Sequence, residues 1–151
     1  MDIKEHMQSD KLERYAFLWS MTRMVIAALS LFFGATPIIY HLSIGYSGLS
    51  SLLQLCWLIS GVASAYLLYR WFTGGQKVFG ATDTKNKVFF LIMVATGLNL
   101  GYTAIDTNIG MGLVIGMPIA HLLFKATGIL YLIVAYYLWT QWKENGERIV
   151  S

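Results

Sequence analysis

Hydrophobic positions in this chain gather into four long runs, at 22–40, 49–72, 88–104 and 118–142, with short polar segments between them. A helix needs about 20 apolar residues, rising about 1.5 Å each, to cross a bilayer. The runs predict an all-α, four-span transmembrane helical bundle in a single domain. Ahead of the first run, Leu12, Tyr15, Ala16 and Trp19 recur at helical spacing, and Asp10 and Glu13 stand at capping-box spacing. This segment reads as a helical extension of the first span. Arg23 comes next on that face, at the inner edge of the span, where a long side chain snorkels to the headgroups. Pro37 lies near the far end of the first span, and Pro118 suits the first turn of the last.

The runs also repeat. Gly34-x-Thr36-x-Ile38 in the first span returns as Gly101-x-Thr103-x-Ile105 in the third. The loops at 44–49 and 109–113 are alike. Ala65-Tyr66-x-Leu68-Tyr69 in the second span matches Ala135-Tyr136-x-Leu138-Trp139 in the fourth. Such a parallel duplication predicts two tandem helical hairpins about a pseudo-two-fold axis along the membrane normal.

Charge placement gives an orientation. Only 13% of the 151 residues are charged, about half the share of a soluble domain. Lys4, Lys11, Arg14, Arg23, Arg70, Lys77, Lys85, Lys87, Lys143 and Arg148 all fall on one side of the predicted spans; the eleventh base, Lys125, lies within the fourth. The positive-inside rule places that side, with both termini, in the cytoplasm. Trp19, Trp71, Trp139 and Trp142 mark the same boundary as interfacial aromatics. The imbalance disfavours a dual-topology transporter. The net charge of +3 and a pI near 9.0 reflect orientation, so no nucleic-acid partner is expected. The lone Cys56 forms no internal disulfide, and no cleaved leader is expected.

Chemistry is sparse. Lys125 and, one turn earlier, His121 project from similar faces of the last span, and Asp106 is the acidic residue on the outer side. An ionisable group at depth has a partner or faces a wet cavity, so Lys125 reads either as a snorkelling residue paired with Asp106 or as part of an outward-facing anion site. His41 and His121 are weak candidates for a haem or metal, with no Cys, Glu or further His to support them. Asn99 lies between Gly97 and Gly101, a Gly-x-x-x-Gly packing face that Gly61-x-x-x-Ala65 resembles; Asn99 and Gln54 read as interhelical hydrogen-bond donors, with Asn99 the better ligand candidate. The glycine-rich segment 105–120 reads as an outer loop, with a re-entrant dip as the alternative. Thr73-Gly74-Gly75-Gln76-Lys77 lacks the phosphate-loop pattern.

No nucleophile–base–acid set is visible, no cofactor is expected, and no carboxylate relay suits proton-coupled transport. The chain reads as a multi-pass protein of the cytoplasmic membrane, in contact with the lipid bilayer, acting as a non-enzymatic subunit or interaction protein, homo-oligomeric or bound to a membrane partner. The alternatives are a small-solute transporter or channel with an anion cavity, and a haem protein or other membrane enzyme.

Overall fold

The charged residues from Asp10 to Arg14 run without a break into the first apolar stretch, giving α1 (Ser9–Phe32). In the computed structural model, which describes residues 9–34, 48–106, 109–114 and 116–150, it is followed by α2 (Gly48–Thr73), α3 (Thr84–Thr103), the short α4 (Ile109–Val114) and α5 (Ala120–Glu144). The four long helices form an all-α four-helix bundle. α2 packs most extensively on α3, and α1 on α5. At one end lie the start of α1, the α2–α3 connection and the end of α5; this is called the terminal end below.

The helical extension expected ahead of position 22 is present: α1 starts at Ser9 and ends at Phe32, short of position 40, where the chain turns through Gly34 at φ +84°; positions 35–40, with Pro37, and His41 lie outside the described residues. Among the described residues three helices, not four, are long and apolar enough to cross a membrane: α1, α2 and α5. α3 falls short because its 20 residues include Lys85, Asn86 and Lys87 in the first turn and Thr96, Gly97, Asn99 and Gly101 further on. Asp83 caps it, accepting from the Asn86 amide at 3.2 Å. Pro118 stands in the turn just ahead of α5 rather than in its first turn.

The polarity of the bundle explains which faces meet. Val62 on α2 and Leu122 and Tyr136 on α5 are more than 60% exposed, whereas Ser20, Arg23, Ser60, Ser64 and Asn86 are buried. The stripe expected on α1 is therefore rotated: Leu12 and Tyr15 are exposed, while Glu13, Ala16, Phe17, Ser20 and Met24 face inward. Arg23 turns into the bundle instead of snorkelling. Trp71 and Trp142 are buried against the protein, while Trp139 is 40% exposed.

Small residues let the helices close. A Cβ on Gly61 would lie 2.7 Å from the Gly101 Cα, and one on Gly101 would lie 2.5 Å from the Gly61 Cα, so α2 and α3 touch backbone to backbone. Gly97 sits against Ser64, and a Cβ on Gly128 of α5 would lie 3.1 Å from the Ala28 carbonyl of α1. Ala65 faces outward.

The two halves of the bundle share local geometry. α2 ends with Gly75 at φ +76° and the Gln76 amide donating back to the Trp71 carbonyl at 3.0 Å; α5 ends with Gly146 at φ +68° and Glu147 donating to Trp142 at 2.9 Å. These are the left-handed helix caps that glycine makes cheaply. Phe90 packs on Trp71 at 5.9 Å and Phe17 on Trp142 at 5.3 Å, both tilted. Glu13, Phe17, Met21, Met24 and Ala28 are buried on α1; Asn86, Phe90, Val94, Gly97 and Gly101 are buried on α3 at the same intervals. In this register Gly101 corresponds to Ala28 rather than to Gly34.

Candidate functional site

Among the described residues, three places hold polar side chains capable of chemistry. The first is the end opposite the termini, where sequence reasoning looked. Lys125 lies five residues into α5, about 7.5 Å along its axis, and it and His121 are exposed. Asp106 accepts a hydrogen bond from the Tyr102 hydroxyl at 2.9 Å, and the ion pairs formed among the described residues do not include one between Lys125 and Asp106. Asn99 is drawn away from both: its Oδ1 accepts from the Ile109 amide at 3.1 Å and so holds the start of α4. The structure thus places Asp106, Lys125 and His121 on exposed surface and ties Asn99 to the connector. Among the described residues no three His, Cys, Asp or Glu side chains converge as metal ligands.

The second place is the bundle interior. Arg23 is 6% exposed. Its Nη2 donates to the Met93 carbonyl at 2.8 Å and its Nη1 to the Thr96 hydroxyl at 3.2 Å, both on α3. Its Nε has no partner, nor do the nearby Ser20 and Ser64 hydroxyls. The ion pairs among the described residues give Arg23 no carboxylate. One turn towards the termini, the Trp19 indole donates to Ser60 at 2.9 Å. A guanidinium between helices is held here by backbone and hydroxyl oxygens alone.

The third place, at the terminal end, is the most fully built. Glu13, about one turn into α1, is 5% exposed. Its Oε1 accepts the backbone amides of Ile149 and Val150 at 3.1 and 2.9 Å. Its Oε2 takes Arg70 Nε and Nη2, each at 3.2 Å, and Asp10 lies 3.6 Å from the same guanidinium. A carboxylate so occupied has charge-assisted bonds on both oxygens.

The tail reaches this carboxylate because α5 stops at Glu144 and its left-handed cap turns the chain back. Glu147 pairs with Arg14 and Lys143, each at 2.7 Å, and the Lys143 hydrogen bond, aided by the Arg14 charge, holds its carboxyl below the usual value. On the other side of the tail, Val78 and Ala81 exchange hydrogen bonds of 3.0 and 3.1 Å around Phe79 and Gly80, at φ +53° and +71°. That is the tight hairpin turn with two left-handed central residues, and a bulky residue tolerates it poorly. Here it aims the Phe79 amide at the Ile149 carbonyl, 2.7 Å away, and sets the Phe79 ring edge-on to Phe17. Ile149 is fully buried and Val150 nearly so.

Sequence reasoning missed this site. The sequence sets Glu13 at capping-box spacing from Asp10 and uses Lys143 and Arg148 only for orientation. One signal was present: Trp71-x-x-x-Gly75-Gln76-Lys77-Val78 and Trp142-x-x-x-Gly146-Glu147-Arg148-Ile149 are the same pattern. No family model, no curated protein and no solved structure matches this chain.

Proposed function

We propose that this chain is a small multi-pass helical membrane protein that acts without catalysis, as a subunit or interaction protein. The observation that carries the membrane reading is the inverted polarity: aliphatic side chains line the outside of α2 and α5 while serines, Asn86 and Arg23 are buried. Lipid rewards that arrangement and water penalises it. α3, too polar to cross alone, crosses under cover of α1, α2 and α5, its small and polar residues turned onto them. The shared caps and ring pairs support two tandem helical hairpins. The basic terminal end is cytoplasmic by the positive-inside rule. The interaction reading draws on the terminal end, where backbone groups are gripped rather than a reactive group presented.

Two measurements test this. Membrane-impermeant thiol labelling of intact cells, in a Cys56→Ser background, should modify Ser47→Cys and leave Thr84→Cys untouched; labelling of Thr84→Cys would overturn the topology. Pull-down in mild detergent should recover a stoichiometric partner or a homo-oligomer.

Arg23 favours a second reading, an anion or small-solute site within the bundle, since an intramembrane cation without a carboxylate suits a mobile anion. Stabilisation of the parent protein by small anions, lost in Arg23→Gln, would support it; no response across halides, phosphate and carboxylates would end it.

A further inference from the structure

We infer that Glu13, Arg70 and Phe79 form a receptor for a short extended chain segment with two consecutive aliphatic residues, filled by the protein's own Arg148–Val150 and open to exchange with such a segment from a partner protein. The grip falls on the backbone. Glu13 takes two successive amides, and the Phe79 amide takes the carbonyl between them. This is how an added strand is recognised, main-chain bonds for affinity and pockets for specificity. The aliphatic requirement comes from burial of Ile149 and Val150 and from Gly74, where any Cβ would lie 2.6 Å from Val150 Cγ1. Two consecutive amides are needed, so proline is excluded at either position.

The segment is built to be held and also to leave. It follows Gly146 and Glu147, both left-handed, which separate it from α5 as a hinge. Glu147 bonds back to α5 through its amide and its side chain, whereas the hydrogen bonds of Ile149 and Val150 run to α1 and to the α2–α3 turn and not to the helix that carries them. The strained turn at Phe79 is retained where it serves this contact. The equivalent segment after α2, Lys77–Phe79, is continuous with α3 on its far side. The inference supplies a surface for the interaction reading and rests on it for the identity of a partner.

The test uses the full chain in a Cys56→Ser background. The Val150 Cβ lies 3.9 Å from a Cβ built on Gly74, inside the range that a disulfide spans. Gly74→Cys with Val150→Cys should therefore cross-link on mild oxidation, and Glu13→Gln should slow the reaction at least threefold. A free peptide of sequence Gly-Glu-Arg-Ile-Ala-Ser, whose alanine lacks the methyl that a side chain at 74 would meet, should slow it likewise at about 10 mM, since a tethered tail has an effective concentration in the mM range. The same peptide with aspartate for both aliphatic residues should not. No cross-link, or a rate indifferent to both Glu13→Gln and the peptide, overturns the inference. If Glu13→Gln fails to fold, the two peptides decide alone. A disulfide-linked dimer would identify the partner as a second copy. Competition by the peptide with no partner in the pull-down would keep the receptor and remove the interaction reading.

Discussion

Replacing Gly61 and Gly101 by alanine, singly and together, probes the closest contact in the bundle. A Cβ at either position would approach the other glycine's Cα to 2.5–2.7 Å, whereas carbon atoms rest at about 3.5–4.0 Å. The shortfall is about 1 Å, and it faces backbone, so no rotamer change relieves it. α2 and α3 must separate along their length, loosening Gly97 against Ser64 as well. Overpacking of this kind destabilises by about 1–3 kcal/mol, or about 2–12 °C in melting temperature for a chain of this size. The double variant should lose less than the sum, because the first methyl opens the gap that the second needs. Gly112, with nothing within 4 Å of its Cβ position, is the control, and Gly112→Ala should not lower stability. Thermal unfolding in detergent, followed by size-exclusion chromatography, reads all four. Both single variants melting with the parent would refute the backbone contact, and full additivity would mean that the two glycines do not share one gap.

Lys125→Met and Asp106→Asn should have small, additive effects in a double-mutant cycle, since Asp106 is held by Tyr102 and Lys125 stands exposed; a coupling above about 1 kcal/mol would restore a pair between them. Glu147 should make the terminal end sensitive to acid. Its carboxyl lies below the ordinary 4.5 in the folded protein, so its contribution is present above that value and lost as pH falls through the lowered one. The melting temperatures of the parent and Glu147→Gln should therefore converge between pH 5 and strong acid, and a gap that widens there would contradict the assignment.

The sequence by itself determined the helical class, the sites of the helices and the suitability of most of them for a bilayer, because those depend on local period and on the length of apolar runs. The run at 49–72 appears as α2 within a residue at each end. It overstated the third run, where the apolar count hid polar and glycine residues suited to packing rather than to lipid. Only the tertiary structure decided which faces meet. A helix that is apolar nearly all round gives no stripe to orient it, so the burial of Ser20 and Arg23 and the exposure of Leu12 and Tyr15 followed from neighbours, not from period. The receptor at Glu13 was hidden for a different reason. Its two halves lie 136 residues apart in the chain, and its ligands are backbone amides, which every residue but proline carries. No residue type announces such a contact, and only the return of the tail across the helix ends brings it into being.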